Sequence, residues 1–151
     1  MMQSVWITIP GRPLSKDNEK ITNRLGKPFL SKKFKDYAAF IKREAERQMK
    51  EHGWTPFNIP VFVKMEFFFK NDVRLDLFNA PKSVCDALNG IVWEDDHLIH
   101  QGQLCIKFDD NERVDLKVIP AYLSSKGFNL PGNMPNSIVK SIREYSDRQM
   151  Q

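Results

Sequence analysis

The 151-residue chain has little with which to bind a soft metal or cross-link itself: two cysteines and three histidines. Cys85 and Cys105 show no CxxC spacing and have no paired histidines nearby, which points to two buried, reduced thiols rather than a zinc site or a disulfide. His52, His97 and His100 are too scattered to form a soft-ligand cluster, so any metal should be a hard one held by oxygen. No apolar run approaches the length of a membrane span, and Met1 to Pro10 lacks a basic n-region and a cleavage site. The expectation is a soluble, unexported protein. Repeats, low-complexity tracts, zinc fingers and a recognition-helix pattern are also missing, which leaves sequence-specific base readout without support.

What is present is a core and an uneven distribution of charge. Hydrophobic residues make up 41% of the chain, with eleven phenylalanines, enough to argue against disorder. The length suits one domain. Residues 11–50 hold twelve Lys/Arg against five Asp/Glu, a net of +7, whereas residues 71–100 hold two against six, a net of −4. A basic region beside an acidic pocket suits a protein that holds phosphates while placing cations at one of them. An ordinary solvated surface is the plainer alternative.

Along the chain, Val5 to Ile9 reads as a strand entering a turn at Pro10-Gly11-Arg12-Pro13, and Ser15 to Lys27 reads as an exposed basic loop. From Ser31 the spacing of Phe34, Tyr37, Ala38, Ile41, Ala45 and Met49 predicts a helix, with Ser31 as N-cap and Gly53 as its stop. Val61 to Phe69 alternates as a strand, and Val73 to Leu77 reads as a short extended piece delivering Asp76. A second helix is predicted from about Asn79, its N-cap, to Asn89-Gly90. It turns Ala80, Val84, Ala87, Leu88 and Ile91 inward and Asn79, Lys82 and Asp86 outward. Gln103 to Asp109 and Arg113 to Ile119 read as a β-hairpin. The order of elements predicts an α+β domain with a mixed or antiparallel sheet and two main helices. Residues 1–120 are read as the folded domain, and 121–151 as a C-terminal extension with a short helix capped by Asn136.

The chemistry concentrates in Asp76-Leu77-Phe78-Asn79-Ala80-Pro81-Lys82, then Asp86-Ala87-Leu88, then Trp93-Glu94-Asp95-Asp96. Taken singly these have plain readings: a turn acid, an i,i+4 pair between Lys82 and Asp86, a solvated acidic turn. Taken together, the run resembles the RusA-type Holliday junction resolvases (crossover junction endodeoxyribonucleases). Their pattern is approximately D-[LV]-D-N-x-x-K-x-x-x-D-A-L, followed after a short gap by an aromatic before D-D. The match is close over Leu75 to Ile99 and looser at Ile9 to Pro13.

That resemblance implies a homodimer that cuts opposed strands of a four-way DNA junction with Mg²⁺ or Mn²⁺. Asp76 and Asp96 would be metal ligands, Lys82 the catalytic lysine, and Asn79 and Asp86 supporting polar positions. A cytoplasmic, nucleoid-associated protein of bacterial or phage origin is implied with it. The family's second acid is replaced by Phe78, whose ring cannot ligate Mg²⁺. Asp72 lies roughly 13 Å of strand from Asp76, too far to share an ion. Asp95, Glu94 or Asp86 are better substitutes, with Asp95 taken as the additional ligand. The alternative is a catalytically impaired protein of the same fold that binds branched DNA. Lys16, Lys20, Arg24, Lys27, Lys32, Lys33 and Lys35 are the candidate phosphate contacts. Phe29 and Phe128 sit where they could stack on or wedge between bases, although burial in the core is the expectation for both.

Overall fold

The computed structural model describes residues 3–15, 20–73 and 77–121. In these segments the chain forms strands β1 (Val5–Pro10), β2 (Lys20–Thr22) and β3 (Pro28–Leu30), helix α1 (Lys32–His52), strand β4 (Val61–Phe69), helix α2 (Ala80–Leu88), and strands β5 (Ile99–Phe108) and β6 (Arg113–Pro120). The C-terminal extension and its expected helix from Asn136 lie outside the described residues, as does Phe128. No helix among the described residues is long and apolar enough to cross a membrane.

Alternation along β4 decides the architecture. Val61, Val63, Met65, Phe67 and Phe69 are all buried, while the residues between them are half-exposed. A strand with one such continuous apolar face lays that face on the core, and the nine-residue length of β4 gives it a full ladder with a neighbour on either side. Accordingly, the four-stranded sheet runs in the order β1-β6-β4-β5. β4 pairs antiparallel with β6 and parallel with β5.

The expected hairpin between Gln103–Asp109 and Arg113–Ile119 therefore does not form. Those two strands run in opposite directions, as hairpin strands would, but β4 lies between them. The loop joining them crosses the end of β4, where the Asp109 N–H donates to the Phe69 carbonyl at 3.0 Å.

Both helices cover one face of this sheet. α1 begins at Ser31, whose hydroxyl accepts from the Phe34 N–H at 3.2 Å. It ends at Gly53, whose φ of 66° only glycine adopts without cost. The Gly53 N–H donates to the Lys50 carbonyl and the Trp54 N–H to the Met49 carbonyl, which satisfies the last turn. Phe34, Tyr37, Ile41, Ala45 and Met49 are buried at helical spacing against the sheet. α2 buries Ala80, Val84, Ala87 and Leu88 and packs against α1. Phe67 and Trp93 are among the largest fully buried side chains, so truncating either to alanine should cost about 3–5 kcal/mol.

The stretch expected to be a plain loop, Ser15 to Lys27, contains strand β2. Ser15 is buried, and β2 and β3 form an antiparallel hairpin pairing Ile21 with Phe29 and Thr22 with Pro28. Strands of three residues are too short to announce themselves by alternation. The turn is held by Asn23, whose Oδ1 accepts from the N–H groups of Leu25 and Lys27, both at 2.9 Å, and by Gly26 at φ 75°. Phe29 accordingly lies 44% exposed on the hairpin rather than in the core.

Candidate active site

α2 and the turn after it carry the site. Ala80 and Pro81 open the helix, where proline's missing N–H costs nothing. Asn79 occupies the N-cap position, but its backbone is helical (φ −93°, ψ −31°) and its side chain makes no capping bond. Lys82 and Asp86 project from the exposed face, as their phase requires, and no ion pair joins them. Arg74, Leu75 and Asp76 lie outside the described residues, so the expected extended piece and its acid are not located. Phe78 follows with its side chain 84% exposed.

The acidic turn is fastened to α2 through Trp93. Its indole is fully buried, and Nε1 donates to the Asn89 Oδ1 at 2.8 Å. The Gly90 N–H donates to the Trp93 carbonyl at 2.7 Å, and the Glu94 N–H to the Phe57 carbonyl at 2.9 Å. Glu94, Asp95 and Asp96 emerge from this anchor into solvent.

Asp95 is committed locally. It caps a single 3-10 turn (Asp96–Leu98), accepting from the His97 N–H at 3.1 Å, and it pairs with the His97 ring Nδ1 at 3.1 Å. That backbone hydrogen bond, then the His97 side chain and a hydrogen bond with Asp96, hold its carboxyl below the ordinary range. Asp96 moves the other way. The hydrogen bond to Asp95 raises its pKa first, followed by slight desolvation and the negative charges of Asp95 and Asp86. The thiol of Cys85, one residue before Asp86, is pushed up to about 12 by burial, with Asp96 and Asp86 adding to the effect. Asp86 and Asp96 both act on the Cys85 thiol, and Asp86 acts on Asp96, so the helix carboxylate and the turn carboxylate are near enough to feel one another.

This patch suits a hard cation. Its donors are all oxygen, and an added positive charge would relieve the repulsion felt at Asp96. No group of three or more His, Cys, Asp or Glu residues that could hold an ion is assembled among the described residues. The acids present there would need a further ligand.

A basic surface adjoins the patch. Asp86, Ser83 and Ala87 of α2 line a groove whose other wall is Phe34, Ala38 and Lys42 of α1, closed at one end by Leu30 of the hairpin. Arg24, Lys27, Lys32, Lys33 and Lys35 are all exposed on the hairpin and the first turn of α1. Lys16 and the side chain of Lys20 lie outside the described residues.

One positioning residue was not apparent from the sequence. Arg12 donates to Glu112 Oε2 at 2.6 Å, to Asn71 Oδ1 at 3.3 Å and to the Asp72 carbonyl at 2.6 Å. It therefore ties the segment leading toward Asp76 to the loop between β5 and β6. The only cue was an arginine inside a Pro-Gly-Arg-Pro turn, since its partners lie 59 to 100 residues away.

A comparison with curated proteins finds none that matches the chain. A protein-family model described as endodeoxyribonuclease RusA matches residues 10–119, a span that includes both helices, strands β2 to β5 and the whole acidic turn. With a match over well more than half of its length, the chain belongs to the RusA endodeoxyribonuclease family.

Proposed function

We propose that this protein is a structure-selective endonuclease that resolves four-way DNA junctions by divalent-metal-dependent phosphodiester hydrolysis, acting as a homodimer in the recombination and repair of cytoplasmic, nucleoid-associated DNA. The observation that carries this reading is the groove between α1 and α2, lined by Lys42 and Asp86, with the exposed acidic turn at Asp96 following α2 in a chain of the RusA family. Phosphate needs cations on either side of the scissile bond, and this groove carries Lys42 on one wall and Asp86 on the other, with the exposed lysines of the first turn of α1 further along the same helix.

Asp96, with Asp76 and either Asp86 or Asp95, would hold Mg²⁺ or Mn²⁺. Asp96 is the better placed of the acidic pair because Asp95 is engaged with His97. When bound, such an ion supplies polarisation of the phosphate and a lowered water pKa. Lys82, exposed one turn into α2, is free to approach the phosphate and stabilise charge developing on the departing oxygen. The N-terminus of α2 adds a favourable partial positive charge toward the same group.

A second reading has its own observation. Phe78 presents a largely exposed ring where the family pattern has an acid, and a site short of one carboxylate holds its cation less tightly. In that reading the protein binds branched DNA without cutting it.

Incubating the purified full chain with a labelled four-way junction, a flap and a linear duplex, in Mg²⁺, Mn²⁺ or EDTA, separates the two. Symmetric, metal-dependent nicks in the junction support the nuclease. Tight binding with no nicks, even in Mn²⁺, rejects it. If Asp76→Asn cuts as well as the parent protein, the site assignment is wrong.

A further inference from the structure

The β2–β3 hairpin presents apolar side chains where a turn needs none. Leu25, at its tip, is 81% exposed, and the cross-strand pair Ile21 and Phe29 is 45% and 44% exposed on the outward face. The turn itself is built by Asn23 and Gly26, so any polar residue at position 25 would satisfy its hydrogen bonds. The opposite face is rooted through Leu30, which packs into the groove between α1 and α2 that Asp86 also lines. The tip is therefore held by a fixed turn on a base adjoining the acidic patch.

Charge selects the occupant. Arg24 and Lys27 flank Leu25 on either side, and Lys32, Lys33 and Lys35 continue the cationic surface into α1. An apolar tip between cations complements a nucleic acid whose bases have left the stack, with phosphates meeting the cations and base faces meeting Leu25 and Phe29. Stacked duplex offers phosphates but no free base faces.

We infer that the β2–β3 hairpin is a wedge, with Leu25 at its tip and Phe29 and Ile21 behind it, that contacts unstacked bases at the branch point and thereby discriminates branched from linear DNA. This rests on the branched-DNA reading above. It adds the surface that performs the selection.

The test uses binding in EDTA, so that cleavage plays no part. A four-way junction carries 2-aminopurine at the branch point, and the full chain is titrated against it and against a linear duplex of the same sequence. The parent protein should raise 2-aminopurine fluorescence on binding. Leu25→Ser should abolish that rise and lower the junction-to-duplex affinity ratio about tenfold, the scale of one lost base contact. Phe29→Ala should act in the same direction. Lys27→Ala should weaken both substrates equally and reduce the salt slope by about one.

Tight junction binding by the parent protein without a fluorescence rise would overturn the wedge and leave the branched-DNA reading standing. Equal loss on junction and duplex in both Leu25→Ser and Phe29→Ala would also overturn it. So would a change of sedimenting mass in those variants, which would assign the face to contact between protein copies. A parent protein with no preference for the junction would remove the underlying reading and the wedge with it.

Discussion

The Asn89–Trp93 hydrogen bond offers a quantitative handle on how the acidic turn is held. Trp93 is fully buried and Asn89 is exposed, so the two ends of this bond have different alternatives. Replacing Asn89 by alanine leaves the indole N–H without an acceptor in the interior, at a cost of about 1–3 kcal/mol. Replacing Trp93 by phenylalanine removes the donor, and Asn89 can then turn to water. In that background Asn89→Ala should cost only a few tenths of a kcal/mol, giving a coupling of about 1–2 kcal/mol.

Against a total stability of about 5–15 kcal/mol, such a coupling is measurable by urea unfolding of the four proteins of the cycle. Because Glu94, Asp95 and Asp96 follow the indole directly, Asn89→Ala should also slow junction cleavage by more than its unfolded fraction accounts for. If Asn89→Ala costs the same in both backgrounds to within about 0.3 kcal/mol, the bond does not anchor the turn and the argument fails.

Three further outcomes follow from the same geometry. Arg12→Ala should destabilise by about 1 kcal/mol, the figure for a charge-assisted contact discounted for its partial exposure, and should lower cleavage further by freeing the segment before Asp76. Glu112→Gln, which spares the Asp72 contact, should keep more activity than Arg12→Ala, and equal losses would remove that positioning role. Burial pushes the Tyr37 phenol up to about 12, above its unfolded value, so its contribution to stability is intact below about pH 10 and lost as pH rises toward 12. Tyr37→Phe should flatten that alkaline decline in thermal unfolding, and an unchanged profile would contradict the assignment. The Cys85 thiol, also held near 12, should react with a thiol reagent at pH 8 far more slowly in the folded protein than in urea, and equal rates would place it at the surface.

What could be read from the chain divides by how local its cause is. α1 and β4 were legible because capping by Ser31, the Gly53 stop and the alternation of Val61 to Phe69 are written within a few residues. The phase that turns Lys82 and Asp86 outward on α2 was equally local. The pairing of β5 and β6 was not, because a hairpin and a pair split by β4 have the same alternation and the same short loop. Which strand lies between them is decided by tertiary packing and not by the alternation of either. The β2–β3 hairpin was missed because its strands are three residues long, and the exposure of Phe29 went with it. At the site, motif spacing named the acids as candidates, but the different surroundings of Asp95 and Asp96 arise from the capping of the 3-10 turn at His97 and from Asp86, neither of which the spacing shows.

The central claim is that Asp96 belongs to a cation site. Its folded-state pKa is raised, so the favourable contribution of the carboxyl is present at low pH and is lost as pH climbs through that raised value. At neutral pH the ionised group then stands against Asp95 and Asp86. The most direct measurement is the nicking rate of a four-way junction by Asp96→Asn in Mn²⁺, taken with its melting temperature. The account predicts a protein that stays folded, because the side chain is exposed, and that no longer nicks. Nicking at the parental rate by a folded Asp96→Asn would contradict it.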